Sequence, residues 1–261
     1  MPVSGARRFD GAFYSRSINN PLVSSKLLSQ AKKSRLYFLT ALDQNSPYQI
    51  AGEDRSYIGQ GGESFVNVLR YQRLVNKNTR LGLVTTNRYY KEGGYGNLFG
   101  TDGWFLISKN WRLTYELLAN FNQEPEANWI DSQDAILGRS VALNKEKFGG
   151  SAFYFQLYRN TEHWKSYIYY RNITPEYQAN VGFVVKNNRR WGTFFHEYQN
   201  FINKKGLQFF SIGTKADLNY TFQNYLKAIS LDGIFSVKTF LNTTIEYTYD
   251  WDIFKNYLGR D

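Results

Sequence analysis

Two carboxylates near the carboxyl end of the chain are spaced for joint chemistry. Glu246 and Asp250 lie four residues apart in the stretch LNTTIEYTYDW at positions 241–251. If this stretch is a β-strand, both side chains point to the same face, because successive side chains alternate between faces. Pairs of carboxylates serve as the acid and the base of glycosidases. Glu116 belongs to an earlier alternating stretch and is a third candidate for the same face.

A second interpretation of these carboxylates is electrostatic. Arginine and lysine alternate with apolar residues in other stretches, and ladders of opposite charge are common inside water-filled β-barrels. We therefore interpret six residues as polar side chains that face a lumen: Arg112, Glu116, Lys165, Arg171, Glu246 and Asp250. We assign no catalytic residue, no cofactor site and no metal site, and we expect that the protein is not an enzyme.

The two histidines of the chain, His163 and His196, do not indicate a metal site. His196 precedes Glu197, and neighbours in a strand point to opposite faces. The two side chains therefore cannot hold one ion together, and His163 lies beside a predicted turn.

The stretch 241–251 also indicates the fold class. Its odd-numbered positions are mainly apolar or aromatic, and its even-numbered positions are polar. Such a strand fits either a half-buried sheet of a soluble protein or the wall of a membrane barrel, which has lipid on one side and water on the other.

The spacing of the strand-like segments favours the barrel. We predict twelve segments, the first at 11–18 and the last at 241–252, separated by tight turns near 77, 110, 161, 204 and 239. Longer connections begin near 43, 91, 122, 172 and 219. We expect a short helix within 131–143 and a strand extension at 181–185. Short turns at one end and long loops at the other are typical of outer-membrane barrels.

The resulting prediction is an all-β, antiparallel, up-and-down transmembrane β-barrel of about twelve strands that forms a single domain over residues 1–261. We expect the barrel to be incomplete at both ends, because the first strand lacks an upstream partner and the final residues, YLGRD, lack a terminal aromatic strand. The first residues, MPVSGARRFDG, lack the apolar segment of a signal peptide. If the protein is exported, we therefore expect the sequence to be a mature or excised piece.

Composition restricts the partners. Hydrophobic residues make up 42% of the chain and aromatic residues 18%, which argues against disorder. The formal net charge is +10, but no block of five or six basic residues occurs, so we predict no nucleic-acid binding. An anionic lipid surface or a small anionic solute accounts for the positive charge equally well. The chain has no cysteine, and it has no apolar run of 18 residues that would form a transmembrane helix.

Aromatic residues near the ends of predicted strands form a further pattern. Trp111, Trp164 and Trp251 are examples, and they suit the aromatic girdles that lie at membrane interfaces. The alternative is a platform on which sugar rings stack. Trp129, in the longest connection, is the residue that we single out for such stacking.

Several short motifs resemble one known family. They are FYSR at 13–16, LRYQR at 69–73, GLVTTNR at 82–88 and GTDG at 100–103. Together they resemble the outer-membrane barrel region of the domain of unknown function 5916, found in bacteria of the Bacteroidota type. The resemblance covers residues 11 to about 110, with pattern similarity beyond. In that family the barrel usually follows a carbohydrate-binding module similar to family 9, which this sequence lacks. The resemblance implies a membrane barrel with a loose link to glycan handling, and it supplies no catalytic residue.

The sequence thus predicts a bacterial outer-membrane protein that acts as a channel, as an uptake component or in surface assembly. Its expected partners are the lipid bilayer, lipopolysaccharide and a glycan or small anionic solute. Two alternatives remain. One is a soluble all-β carbohydrate-binding module or a remnant of a glycan-degrading enzyme. The other is a structural barrel that anchors a separate domain.

Overall fold

The computed structural model describes residues 11–132, 134–204, 206–240 and 243–254. These residues form eighteen strands and one 3-10 turn, Ser15–Ser17. The strands are β1 Pro21–Gln30, β2 Ser34–Asp43, β3 Pro47–Ala51, β4 Ser56–Gln60, β5 Ser64–Asn76, β6 Thr79–Tyr90, β7 Tyr95–Ser108, β8 Trp111–Gln123, β9 Glu126–Ala127, β10 Ala135–Ile136, β11 Arg139–Ser140, β12 Leu143–Asn144, β13 Lys147–Asn160, β14 Trp164–Ile173, β15 Arg189–Lys204, β16 Leu207–Tyr220, β17 Leu226–Thr239 and β18 Thr244–Phe254.

Twelve of these strands form one antiparallel sheet. Its order is β1-β2-β5-β6-β7-β8-β13-β14-β15-β16-β17-β18, so consecutive long strands are neighbours throughout. The predicted all-β, up-and-down arrangement of twelve strands is therefore confirmed. Within the described residues, no pairing that would close this order into a ring is detected. The same residues contain no helix that is long and apolar enough to span a membrane.

The chain divides into two compact units. Unit 1 comprises Met1–Trp104, Tyr115–Phe153 and Asn172–Arg189. Unit 2 comprises Phe105–Thr114, Tyr154–Arg171 and Arg190–Asp261.

The sheet has two unlike faces, as β8 shows. Leu117 and Phe121 are 49% and 58% exposed, whereas Glu116 and Asn120 are 2% and 0% exposed. This alternation confirms the predicted division of β8 into an apolar and a polar side. We call the side of Leu117 the apolar face and the side of Glu116 the covered face, and we use the same names for the corresponding sides of the other long strands.

The covered face of unit 1 is packed by two segments that run outside the sheet, residues 11–18 and 174–188. From the second segment, Tyr177, Ala179 and Val184 join a buried cluster with Val84 of β6 and Leu98 of β7. Val181 joins another cluster against β5. The core of unit 1 therefore lies between the sheet and these segments. Polar residues of the strands, such as Glu116 and Asn120, are buried there as well.

Close approach of the second segment depends on a glycine. A Cβ atom on Gly150 would lie 2.4 Å from the backbone nitrogen of Tyr177 and 2.7 Å from the carbonyl oxygen of Glu176. Real Cβ atoms are not found at such distances, and both neighbours are backbone atoms. Glycine at this position therefore allows the segment to lie directly on β13.

Exchange of this glycine is a test of the packing. Gly150→Ala is expected to lower the free energy of unfolding by about 1–3 kcal/mol, because backbone must shift to make room. The matched control is Gly149→Ala on the same strand, whose Cβ would meet only one atom closer than 3.4 Å, at 3.1 Å. Chemical denaturation of both variants measures the difference. Equal losses would show that the close approach of the Tyr177 backbone does not set the cost.

The predicted strand at 11–18 is wrong. Residues 15–17 form the 3-10 turn, and the segment bonds to the other covering segment instead of to a strand. The backbone nitrogen of Tyr14 donates to the carbonyl oxygen of Val181 at 3.0 Å, and the hydroxyl of Ser17 donates to the same oxygen at 2.9 Å. Alternating polarity here reflects contacts on the covered face and does not reflect strand pairing.

The true first strand, β1, lies in a stretch that the sequence predicted to be a polar connection. All ten residues of Pro21–Gln30 are exposed, and apolar residues occur at both odd and even positions, so no alternating pattern marks the strand. Proline is tolerated at the first residue of an edge strand, because no hydrogen bond in the ladder needs its missing N–H group. The strand pairs with β2, and Leu27 lies opposite Phe38 in the register.

Two smaller predictions are also wrong. Residues 131–143 hold no helix in their described part: β10 and β11 form a hairpin there, joined by Leu137 and Gly138, both with positive φ. Positive φ at both positions fits a tight hairpin turn. The segment 181–185 is not a strand and belongs to the covering segment.

The tight turns lie where the sequence predicts them, but the connection after β6 is shorter than predicted, since β7 already begins at Tyr95. The last strand begins at Thr244, and Leu241 and Asn242 lie outside the described residues. The predictions for residues 1–10 and for the YLGRD end also fall outside the described residues.

Candidate functional site

A cluster of charged residues lies on the covered face of unit 2. Lys165 of β14 lies 3.5 Å from the Glu197 carboxylate of β15. Lys215 of β16 contacts Asp217 of the same strand and lies 3.4 Å from Asp232 of β17. We call these five residues the charged cluster. Its members follow one another across four neighbouring strands, because cross-strand partners on one face meet side by side.

Asp217 is the most connected member of the charged cluster. Its carboxylate accepts hydrogen bonds from the indole N–H of Trp191 at 3.1 Å, from the Thr193 hydroxyl, and from the Ser230 hydroxyl at 3.4 Å. Several donors hold this carboxylate in one orientation. Asp217 therefore connects the charges of β16 to the polar side chains of the neighbouring strands β15 and β17.

Glu246 and Asp250, the two carboxylates spaced for joint chemistry, lie on β18, the last strand of the sheet. In the register of β17 and β18, Asp250 is opposite Asp232 and Glu246 is opposite Ser236. Both therefore lie on the covered face, as the alternation predicts. Lys165 pairs with Glu197 and not with either carboxylate of β18. The lumen-facing role of Glu246 and Asp250 stays a prediction.

The remaining predicted lumen residues are distributed between the units. Glu116 of unit 1 is buried, whereas Arg112 of unit 2 is exposed at the start of β8. Arg171 of unit 2 is half-buried near the end of β14. The lumen-facing role of these three residues stays a prediction.

Two ion pairs of unit 1 lie on the covered face, one fully buried and one half-buried. Arg88 of β6 lies 3.7 Å from the Asp43 carboxylate of β2, and both side chains are fully buried. Arg70 of β5 lies 2.6 Å from the Asp102 carboxylate of β7. Charged groups thus share the covered face with the buried apolar clusters, while the opposite face exposes large apolar side chains.

The histidines do not form a catalytic pair. The Nδ1 atom of His196 shares a 2.7 Å hydrogen bond with the Ser166 hydroxyl, and its ring stacks on Trp164 at 4.8 Å. Glu197, on the opposite face, contacts Lys165. Within the residues that the structure describes, no group of three or more histidine, aspartate or glutamate side chains could hold a metal ion.

Trp129 packs into an aromatic cluster of unit 1. Its ring centroid lies 5.7 Å from that of Tyr48 and 5.4 Å from that of Tyr90. Tyr48 is almost fully buried, and burial raises the pKa of its phenol, with a further increase from neighbouring Tyr90. These contacts use the Trp129 ring for packing, so its stacking with sugars stays a prediction.

The cavity beside this aromatic cluster is small. It measures about 40 Å³ and is lined by Ile50, Ile136, Arg139 and Glu176, among others. A volume of this size holds a water molecule and not a sugar ring. Arg139 lies 2.5 Å from the buried Glu124 carboxylate, so the cationic group at this cavity is already paired.

Comparison with models of protein families gave no match. Searches of curated proteins and of solved structures gave none either. The resemblance to the barrel region of the domain of unknown function 5916 therefore stays a prediction, and the functional argument depends on the geometry of this chain.

Sequence reasoning identified Lys165 but missed the rest of the charged cluster. The signal was present: Lys215 and Asp217 occupy alternate positions of one strand, and Glu197 and Asp232 lie at the covered positions of theirs. Which of these residues meet depends on the register between strands, which the sequence does not give directly.

Proposed function

We propose that the twelve-stranded sheet is the wall of a β-barrel in a bacterial outer membrane and that the protein takes part in solute uptake. The observation that carries the membrane part is the apolar face. In each unit it presents large apolar side chains that no other part of the described chain covers.

The extent of the apolar face supports lipid as its surroundings. Exposed large apolar residues recur along alternate positions of neighbouring strands, among them Leu81, Leu83, Phe99, Leu117 and Phe121 in unit 1 and Ile168, Phe194, Ile212, Leu231, Phe235, Tyr247 and Tyr249 in unit 2. Soluble monomers rarely expose a continuous apolar patch larger than a few hundred Å². In a bilayer the same surface contacts acyl chains, and the polar groups of the covered face remain away from lipid.

Strand length also supports a membrane location. The strands of the sheet run from 10 residues in β2 to 16 residues in β15. A tilted strand needs about 9–11 residues to cross the hydrocarbon core, whereas strands of soluble sheets usually have about 5–6 residues.

The proposed role in uptake rests on the charged cluster of unit 2. Lys165, Glu197, Lys215, Asp217 and Asp232 provide both signs of charge on the face that would line a lumen. Charged groups that line a water-filled interior select solutes by charge.

A purely structural anchor is the second candidate, because residues 11–18 and 174–188 pack against the covered face of unit 1. A barrel whose interior is filled by its own segments conducts no solute. It would still hold a separate domain at the membrane.

Two measurements test the proposal in sequence. The first is light scattering with far-ultraviolet circular dichroism, in plain buffer and in detergent. We expect a β-rich, monodisperse particle only in detergent. A monodisperse particle in plain buffer would contradict the membrane location and favour the soluble carbohydrate-binding alternative.

The second measurement is the flux of small anionic and neutral dyes from liposomes that contain the protein. Dye flux supports uptake, and liposomes that retain the dyes support the structural anchor.

A further inference from the structure

A groove crosses the apolar face of unit 2 over four neighbouring strands. It has a volume of about 340 Å³ and an almost wholly apolar lining. Its lining includes Trp111 of β8, Leu157 and Arg159 of β13, Ser166 and Ile168 of β14, and Phe194 of β15. No assigned role of the covered face uses this groove, because it lies on the opposite side of the sheet.

The groove exists because a small residue stands among large ones. Ser166 shares the apolar face with Trp164 and Ile168 of the same strand, which are 36% and 51% exposed. The Ser166 hydroxyl is turned toward His196, with which it shares its hydrogen bond. The groove is therefore deep at Ser166, and the Ser166 hydroxyl already has its hydrogen-bond partner.

An arginine lies at one end of the groove. The Arg159 guanidinium lies over the Trp111 ring, 5.7 Å from its centroid. Trp111 follows the tight turn between β7 and β8, and Arg159 precedes the tight turn between β13 and β14. The two strand ends are neighbours, since the backbone nitrogen of Asn160 donates to the carbonyl oxygen of Asn110 at 2.9 Å. Within the described residues, no carboxylate lies within 4.0 Å of Arg159. A guanidinium therefore lies at one end of the apolar groove, near the ends of the strands.

We propose that this groove binds one phospholipid that carries a net negative headgroup. The acyl chain lies along Leu157, Ile168 and Phe194, and the headgroup phosphate pairs with Arg159. This inference rests on the proposed membrane location. Strand ends in a membrane barrel lie at the level of the headgroups, where tryptophan and arginine are favoured.

The chemistry of the two ends selects this occupant. An apolar groove favours an alkyl chain by about 0.8 kcal/mol for each methylene removed from water. Within the bilayer that term is small, because other lipids supply the same contact, so selectivity must come from the headgroup. A guanidinium binds phosphate with two parallel hydrogen bonds. A zwitterionic headgroup already carries a cation next to its phosphate, which repels the guanidinium, so a headgroup with net negative charge binds better. A second copy of this chain would need a carboxylate at the corresponding place to satisfy Arg159.

The test uses native mass spectrometry of the full chain in detergent. The probes are phosphatidylglycerol, phosphatidylcholine with the same acyl chains, and inorganic phosphate. The variant Arg159→Gln is expected to weaken phosphatidylglycerol binding about ten-fold, which is the size of one charge-assisted hydrogen bond. Ser166→Leu fills the groove and is expected to abolish retention of both lipids.

The matched control is Arg73→Gln. Arg73 is an exposed arginine on the apolar face of β5, near the tight turn that follows this strand. It does not line the groove. We expect this control to bind phosphatidylglycerol as the unchanged protein does. Loss of binding in both arginine variants would show a general effect of charge and would overturn the site.

Two further results would overturn the inference. One is equal binding of phosphatidylglycerol and phosphatidylcholine by the unchanged protein and by Arg159→Gln. The other is inorganic phosphate competing as effectively as the lipid, which indicates a simple anion site. Either result in a protein that needs detergent leaves the membrane proposal intact. A protein that is monodisperse in plain buffer would instead refute the membrane proposal itself.

Discussion

Replacing Arg88 by methionine is expected to lower the free energy of unfolding by about 3–5 kcal/mol, because the substitution leaves a buried carboxylate without its cation. Arg88 and Asp43 are both 0% exposed. The Arg88 Nη2 atom also donates to the carbonyl oxygen of Ser17 at 2.7 Å, so the arginine connects β6 to the covering segment 11–18. Methionine has a similar length but supplies neither interaction.

Urea unfolding in detergent micelles measures this loss. Arg73→Met is the control, since Arg73 is exposed and its exchange is expected to change stability by no more than about 0.5 kcal/mol. A loss for Arg88→Met below 1 kcal/mol would contradict the buried pair.

The partner of Arg88 provides a second check. The Asp43 carboxylate accepts hydrogen bonds from the backbone nitrogen of Asn20 at 2.7 Å and from the Ser46 hydroxyl at 3.0 Å. Asp43→Asn removes the charge and keeps an acceptor. The double variant with Arg88→Met is expected to lose less than the sum of the two single losses, since each single exchange leaves one charge uncompensated. Strict additivity would show that the two side chains do not interact.

Ile212→Lys is expected to cost about 2–4 kcal/mol when the protein is folded in a bilayer, because a lysine on the lipid side near the midplane is poorly solvated. Ile212 is 56% exposed and lies in the middle of β16. In a soluble protein the same exchange at an exposed position would change stability by no more than about 0.5 kcal/mol. The two environments therefore predict results that differ several-fold.

Ser236→Lys is the matched control for Ile212→Lys. Ser236 lies on the covered face of β17, opposite Glu246 in the register. A lysine there gains a carboxylate neighbour and is expected to cost much less than the lysine at position 212. Unfolding from liposomes measures both variants. Equal costs would refute the assignment of the two faces.

Eleven of the twelve strands of the sheet could be predicted from the sequence, because alternating polarity and tight turns are local signals. β8 is the clearest case, with Leu117 and Phe121 on one face and Glu116 on the other. The first strand could not be found in this way. β1 carries apolar and polar residues on both faces, so it shows no alternation. The alternating segment 11–18 owes its pattern to contacts with residues about 70 to 170 positions away, such as Arg88 and Val181.

The candidate site could be predicted only in part. The face of Lys165 follows from alternation, but its partner Glu197 follows from the pairing of β14 with β15. The groove was missed for a related reason. Ser166 reads as an ordinary polar strand residue, and only the neighbouring strands show that large side chains surround it. Register and neighbour identity are properties of the folded sheet, and one sequence does not supply them.

The most direct test of the central claim is a scan of β16 with single cysteines in liposomes made with brominated lipid. The chain has no cysteine, so each variant carries one labelling site. A fluorophore is attached in turn at positions 209 to 218. The account predicts strong quenching at the even positions, which lie on the apolar face, and weak quenching at the odd positions. Uniform weak quenching, with every site open to a membrane-impermeant thiol reagent, would contradict the membrane location.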